Sequence, residues 1–137
     1  MRVVLDTCVL FSALRSSTGA SHRLLSALPG AKFRPVLSTP LMFEYEEVLL
    51  RPRQFPHLTK QDINDFLDYI ASVSEPYRIN FLWRPFLPDS DDDLVLELAV
   101  SSQSDAIITY NISDFAGCDQ FGIRIIPPAI LIKELKL

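Results

Sequence analysis

The sequence predicts an α/β fold, a three-layer α/β/α sandwich around a mainly parallel central sheet. Four short runs are almost wholly apolar or β-branched, and longer stretches with helical periodicity separate them. Strands that lack alternation are buried on both faces, as in a parallel sheet covered by helices. The predicted strands are RVVL at 2–5, PVLS at 35–38, AIIT at 106–109 and IRII at 123–126.

The stretches between these strands have the spacing and the end signals of helices, and a proline pair suits the start of the last one. A section at 52–88, rich in proline and aromatic residues around one helix, is interpreted as an elaborated connection. The predicted helices are GASHRLLSAL at 19–28, TPLMFEYEEVLL at 39–50, TKQDINDFLDYIASV at 59–73, SDDDLVLELAVSSQ at 90–103 and PPAILIKEL at 127–135.

Length and composition predict a single domain over residues 1–137 with its own core. Hydrophobic residues make up 48% and charged residues 22%, which is typical of a compact globular chain. The first apolar run is broken at Asp6, so we expect neither a secretory signal nor a membrane span, and a cytoplasmic protein. We expect Cys8 and Cys118 to be reduced, small buried residues.

Several function classes find no support in the chain. The net charge of −4 argues against broad adhesion to nucleic acid, but it does not exclude a nuclease, for which Arg51, Arg53 and Lys60 are candidates for a local basic rim. The four glycines form neither a dinucleotide motif nor a P-loop. His22 and His57 lack the serine and carboxylate partners of a hydrolytic triad, so packing or surface roles are predicted for them.

Polar side chains follow two of the predicted strands. Asp6 comes after RVVL, and Asn111 and Asp114 come after AIIT. In an open parallel sheet, ligands bind outside the carboxyl ends of the strands, near the point where the strand order reverses. If these two strands are neighbours, all three side chains should face one crevice.

The helix predicted at 39–50 carries three glutamates that a rotation of about 100° per residue separates. Thr39 is the predicted N-cap. Glu47 points almost directly away from the apolar side, whereas Glu44 and Glu46 lie on its two borders. Glu47 is therefore the least suited of the three to enter a site.

The helix predicted at 90–103 has Ser90 as its predicted N-cap and aspartates in its first turn. The same rotation places Asp93 and Glu97 toward solvent, Asp91 at one edge and Asp92 within the apolar sector. Acids in a first turn are also favoured by the helix dipole, by about 0.3–1 kcal/mol each, so a stabilising role is the alternative for each of them.

Taken together, these acids indicate a metal site. Four carboxylates from separate elements would repel one another unless cations neutralise them. Oxygen ligands without a histidine or cysteine cluster suit Mg²⁺ or Mn²⁺. Such ions can activate water and stabilise a leaving oxygen in phosphodiester cleavage.

Four segments carry a resemblance to the PIN domain, a small metal-dependent ribonuclease fold common among prokaryotic toxins. They are VVLDTCVLFSAL, LSTPLMFEYEEVLLRPRQF, DSDDDLVLELA and IITYNISDF. The resemblance places the family's acids on Asp6, Glu44 and Asp92, and puts Thr109, Asn111 and Asp114 at the polar positions of the last segment.

The resemblance implies a role for each of these residues. Asp6, Glu44, Asp92 and Asp114 would hold Mg²⁺ or Mn²⁺ and serve as catalytic residues in RNA cleavage. Thr109 and Asn111 would orient a carboxylate or water, and Ser12 would assist from the first helix. The candidates for phosphate contacts, with surface solubility as the alternative, are Arg15, Arg51 and Arg53.

Two positions depart from the family pattern. Cys8 stands where the family often has asparagine. Asn111 stands where many members have aspartate, which would weaken one metal contact without removing the site. If a second ion needs that charge, one metal would bind tightly and another only with substrate.

The predicted function is a metal-dependent endoribonuclease, the toxin of a toxin-antitoxin pair restrained by a cognate antitoxin protein. A catalytically weak or inactive PIN-like module that binds RNA or protein is the alternative. A phospho-receiver domain is disfavoured because PVLS ends in Ser38 and IRII runs into Pro127 where that fold needs aspartate and lysine. A homodimer is also open, with the apolar segment around Trp83 and Phe86 as a candidate contact.

Overall fold

The computed structural model describes residues 1–30, 32–79 and 85–137, and within them five strands form an all-parallel sheet with six α-helices. The α/β sandwich predicted from the sequence is confirmed. The elements are β1 Arg2–Leu5, α1 Thr7–Arg15, α2 Ala20–Ser26, β2 Arg34–Leu37, α3 Thr39–Leu49, α4 Lys60–Val73, β3 Glu75–Pro76, α5 Ser90–Ser101, β4 Ala106–Ile108, β5 Arg124–Ile126 and α6 Pro128–Leu135. Two 3-10 helices, Ile112–Phe115 and Cys118–Phe121, lie between β4 and β5.

The strand order is β3-β2-β1-β4-β5, so the sheet grows outward from β1 in both directions. The chain builds β2 and β3 on one side of β1 and then crosses over to build β4 and β5 on the other side. The backbone N–H of Asp6 donates to the carbonyl of Ile108 at 3.0 Å, continuing the β1–β4 pairing to the strand ends. The switch point therefore lies between β1 and β4, the two strands that the polar residues follow.

The centre of the sheet is also the centre of the core. The last three residues of β1 and all of β4 are fully buried. Each of the valine, leucine and isoleucine side chains among them contributes about 1.5–3 kcal/mol relative to an exposed one. Helices cover both faces, which explains why these strands are continuous apolar runs without alternation.

The helix ends differ from the prediction by one residue at two caps. Ser38, not Thr39, caps α3, and its Oγ accepts from the N–H of Leu41 at 3.3 Å. Asp89, not Ser90, caps α5, and its carboxylate accepts from the N–H of Asp91 at 2.8 Å. Both neighbours in each pair are good capping residues, so local preference did not decide between them.

The strand β3 was not predicted, because Glu75–Pro76 has no apolar run. It lies at the edge of the sheet, where proline is tolerated because one side of the strand needs no hydrogen-bond donor. The N–H of Tyr77 then donates to the carbonyl of Leu37 at 2.9 Å and keeps the chain beside β2.

Three other expectations from the sequence can be compared with the structure. Cys8 and Cys118 are free thiols, and Cys118 is buried as predicted. Phe86 is partly exposed and packs edge-on against Phe121, with ring centroids 5.2 Å apart, whereas Trp83 lies outside the described residues. In the part of the chain that the structure describes, each helix is too short or too polar to cross a bilayer.

Candidate functional site

A pocket of about 270 Å³ opens at the carboxyl ends of β1 and β4, between α1, α3 and α5. Four acidic side chains line it, from the end of β1, from α3 and from the first turn of α5. The predicted residues Asp6, Glu44, Asp92 and Asn111 are therefore brought together. The complete lining is Asp6, Thr7, Cys8, Phe11, Glu44, Val48, Asp91, Asp92 and Asn111.

The carboxylate of Asp6 is held in one orientation at the base of this pocket. Asp6 is 7% exposed, and its Oδ1 accepts from the N–H of Thr7 at 2.9 Å, which caps α1. Its Oδ2 accepts from the Oγ1 hydroxyl of Thr109 at 2.7 Å. Thr109 is fully buried and also accepts from the N–H of Asn111 at 3.0 Å. One hydroxyl thus links the residues that follow β1 and β4.

Asp92 faces the other acids from the first turn of α5, as its helical position predicted. Burial, as the largest cause, and the negative charges of Asp6, Asp89, Asp114 and Asp91, in that order of size, together raise the pKa of this carboxyl to about 7. The charges on Asp6 and Asp114 can act on Asp92 only because the fold brings the three acids close together. In the absence of a cation, Asp92 is therefore partly protonated near neutral pH.

Glu44 forms the opposite wall on α3. Burial raises its pKa, and the charges of Asp91 and Glu47 add to this effect, while Arg51 opposes it. Glu47 is 69% exposed and lies 3.6 Å from Arg51, outside the pocket, as the helical rotation predicted. Glu46 does not line the pocket either.

Three of the predicted metal-binding and supporting residues do not line the pocket: Thr109, which lies buried behind Asp6, Asp114 and Ser12. Asp114 is exposed in the 3-10 helix Ile112–Phe115, at the rim, from which its charge still raises the pKa of Asp92. Ser12 is half-buried on α1, one residue past the part of the helix that faces the acids. The prediction that Ser12 assists the site has no contact in this structure to support it.

The three predicted phosphate contacts, Arg15, Arg51 and Arg53, are exposed. Arg51 is close enough to act on the pKa of Glu44. Arg15 lies at the end of α1 and Arg53 in the turn after α3. Among the described residues, the guanidinium groups of Arg15 and Arg53 form neither a hydrogen bond nor an ion pair.

Cys8 was wrongly expected to be a small buried residue. It is half-buried, lines the pocket, and its Sγ lies 3.4 Å from Oδ2 of Asp6 and 3.5 Å from Oγ1 of Thr109. Burial and the charge of Asp6 raise the pKa of the thiol. The signals in the sequence were its place two residues after the strand-end aspartate and its position where the family often has asparagine.

Asp93 was wrongly predicted to point toward solvent. Its Oδ1 accepts from the backbone N–H groups of Leu87 at 3.0 Å and Phe86 at 3.3 Å, so it holds the chain that leads into α5. The helical rotation cannot predict this role, because the partners lie outside the helix. Asp91, predicted at an edge, lines the pocket.

The donor chemistry of the pocket suits a hard divalent cation, because its anionic groups are all carboxylates and the amide of Asn111 is a further oxygen donor. Within residues 1–30, 32–79 and 85–137, no three side chains of histidine, cysteine, aspartate or glutamate already converge on one point that an ion could occupy. The carboxylates of Asp6, Glu44, Asp91 and Asp92 thus line one pocket without forming a ready-made three-ligand centre.

Comparison with known families gives one match. A sequence model described as PIN domain matches residues 2–113, which span β1 to the first 3-10 helix and include Asp6, Glu44, Asp92 and Asn111. No curated protein matches the chain. PIN domains are generally nucleases and typically use divalent metals. The match covers most of the chain and agrees with the parallel sheet, so this protein belongs to the PIN domain family and has a nuclease-type fold.

Proposed function

We propose that this protein is a metal-dependent endoribonuclease, a hydrolase that cleaves RNA phosphodiester bonds with Mg²⁺ or Mn²⁺ held by Asp6, Glu44, Asp92 and Asp114. One observation carries the proposal. Among the described residues, none of these four acids forms an ion pair with lysine, arginine or histidine, although they are gathered at the switch point of the sheet. A cation from outside the chain is the natural counterpart of this uncompensated charge.

The chain's own residues would prepare the site. A bound divalent cation lowers the pKa of water and neutralises charge that develops on the phosphate oxygens. The hydroxyl of Thr109 and the N–H of Thr7 fix both carboxylate oxygens of Asp6, so this ligand needs little reorganisation. Asp92 and Glu44 face the pocket from two different helices and would hold the ion from opposite sides.

RNA is the proposed substrate, supported by the family and by the free cationic groups beside the pocket. Arg15 and Arg53 have guanidinium groups without partners among the described residues, and Arg51 borders Glu44. Such side chains position a nucleic-acid backbone by its phosphates without reading its sequence. Phosphate contact is thus the proposed role of all three.

The proposal includes a biological role as a toxin that a cognate antitoxin protein restrains, and a homodimer as the alternative assembly. The resemblance of the four acid-bearing segments to the PIN domain, which is common among prokaryotic toxins, supports the toxin role. Co-expression with the protein encoded by an adjacent reading frame tests it. A stable complex that suppresses cleavage is expected, and continued cleavage in the complex would contradict the role.

Metal binding is tested by calorimetric titration of Mn²⁺ into the wild type, Asp92→Asn and Glu44→Gln. Each substitution removes one ligand charge, so we expect at least about 10-fold weaker binding in both variants. Glu47→Gln is the matched control, since it removes a charge from the same helix outside the pocket and should bind as the wild type does. Equal affinity in the wild type and Asp92→Asn would remove Asp92 from the site.

A second candidate function is a PIN-like module that binds RNA or protein without cleaving it. The observation that favours it is that no three ligands already converge among the described residues. Incubation of mixed-sequence RNA with the protein and Mn²⁺ separates the two candidates. Cleavage that EDTA abolishes and Asp6→Asn suppresses supports the nuclease. Absence of cleavage, with RNA binding unchanged in Asp6→Asn, supports the module.

A further inference from the structure

A second pocket, of about 480 Å³, adjoins the acidic pocket and shares the side chain of Phe11 with it. We call it the Phe11 pocket. It lies between α1 and the turn at 51–58 that follows α3. Phe55, Arg15 and His57 contribute to its walls. None of its features takes part in holding the proposed metal.

The aromatic wall of this pocket is held in place by packing between two phenylalanine rings. Phe55 is buried, and its ring centroid lies 4.9 Å from that of Phe11 with a tilt of 50°. Phe11 is only half-buried and keeps exposed surface toward both pockets. Phe55 thus anchors one side of the Phe11 ring and leaves the rest of it available to a ligand.

The turn that carries Phe55 is tied to the helix before it. The side-chain amide of Gln54 donates to the carbonyl of Val48 at 2.7 Å and to that of Arg51 at 3.1 Å. These bonds fix the position of the turn relative to α3, which also carries Glu44 in the acidic pocket. The wall of the Phe11 pocket is therefore tied to the same helix that lines the acidic pocket.

The rim of the Phe11 pocket is cationic and polar. Arg15 and His57 are exposed, and within the described ranges their side chains form neither hydrogen bonds nor ion pairs. Apolar and aromatic walls with cationic groups at the rim match a nucleotide, since a base stacks on an aromatic ring while a guanidinium contacts the phosphate.

We propose that the Phe11 pocket is a nucleobase subsite, in which a base next to the phosphate at the acidic pocket stacks on Phe11 while Arg15 contacts the backbone. The inference rests on the proposed function, because it assumes that a phosphodiester lies over the acids. The subsite takes an unpaired base, since a base within a duplex cannot stack on a side chain.

The test compares two ligands of equal length, a single-stranded RNA decamer and a matched abasic decamer, by fluorescence anisotropy. The Asp6→Asn background with Mn²⁺ limits cleavage during the measurement. Stacking predicts that Phe11→Leu lowers the affinity for RNA about five-fold or more and leaves the abasic decamer unaffected. Arg15→Gln should lower the affinity for both decamers equally. It should also reduce the salt dependence of this affinity by the equivalent of about one phosphate contact.

Phe66→Leu is the matched control, because Phe66 is also a half-buried phenylalanine packed against the core but lines a different cavity. It should bind both decamers as the background does. Three results would overturn the subsite. The Asp6→Asn protein could bind the two decamers equally well, Phe66→Leu could lose as much RNA affinity as Phe11→Leu, or Phe11→Leu could leave the RNA affinity unchanged.

Cleavage by the wild type separates this inference from the proposed function. If the wild type cleaves RNA but the base makes no difference to binding at Phe11, the subsite is wrong and the proposed nuclease function is retained. Base-dependent binding without cleavage supports the subsite and contradicts the nuclease.

Discussion

The acidic residues at the two ends of the parallel sheet differ in whether they have a cationic partner. At the amino ends, Arg2 lies 3.0 Å from Glu75 through Nε, and its backbone N–H donates to Asp105 at 2.9 Å. At the carboxyl ends, Asp6 and Asp92 share a pocket, and no cationic side chain of the described residues pairs with either.

This difference separates structural acids from acids kept for a ligand. Glu75 is neutralised by a cation of its own chain, so its charge costs the fold little. The charge of Asp92 has no such partner, and burial and neighbouring acids raise its pKa to about 7. Perturbed carboxyls in a crevice are typical of functional sites, and paired carboxyls at a sheet edge are not.

The largest expected effect is on cleavage. Asp6→Asn should lower the rate of RNA cleavage with Mn²⁺ about 100-fold or more, because a ligand charge is lost at the reacting centre. Asparagine is also a good N-cap, so α1 should persist. Glu75→Gln, at the other end of the sheet, should retain the rate within about two-fold. Equal rates in Asp6→Asn and Glu75→Gln would erase the distinction between the two ends.

A smaller effect is expected from the residue that orients Asp6. Thr109→Val removes the hydroxyl that donates to Asp6, at nearly constant volume, and should weaken Mn²⁺ binding about 10-fold. Thr109→Ser keeps the hydroxyl and should bind as the wild type does. Calorimetric titration of both variants is the measurement. If valine and serine behave alike, the hydrogen bond does not position the ligand.

The charge of Asp92 should destabilise the protein when metal is removed. Its pKa is about 7 in the fold against an ordinary value of 3.8 for an aspartate, so the folded state binds more protons than the unfolded state between these values. The free energy of unfolding in EDTA should therefore fall as the pH rises from about 4 to 7. Asp92→Asn should remove this component and be more stable than the wild type at pH 8, by about 1 kcal/mol after allowance for solvent screening.

Urea unfolding of both proteins in EDTA at pH 5 and pH 8 measures this effect. Excess Mn²⁺ should reverse the order at pH 8, because the ion stabilises only the protein that binds it well. The prediction is contradicted if the stabilities of the wild type and of Asp92→Asn change equally between pH 5 and pH 8. The charge of Asp92 would then already be compensated.

The smallest effect is expected at the amino end. Glu75→Gln breaks a pair with Arg2 in which each side chain is about one-third exposed, at 33% and 36%. Partly exposed pairs contribute little, so the loss of stability should be below about 1 kcal/mol and should shrink at high salt. Urea unfolding at low and high salt checks this, with Mn²⁺ affinity as the control. A change in Mn²⁺ affinity would link the two ends of the sheet.

Much of the fold and part of the site follow from local properties of the chain. The strands β1 and β4 were predicted because a strand that is buried on both faces needs continuous apolar residues. Such a run is visible in the sequence of the strand alone. The inward position of Asp92 and the outward position of Glu47 follow from the helical rotation alone. Asp6 and Asn111 were expected to meet because parallel strands end at the same edge.

Only the tertiary structure decided the contacts that cross between elements. Cys8 lies beside Thr109, 101 residues away, because β1 and β4 pair in one particular register. Asp93 turned inward because the chain before α5 offered it two unpaired N–H groups. Periodicity reports which way a side chain leaves its own helix or strand. The partner it meets there depends on how distant segments pack, and no local pattern contains that information.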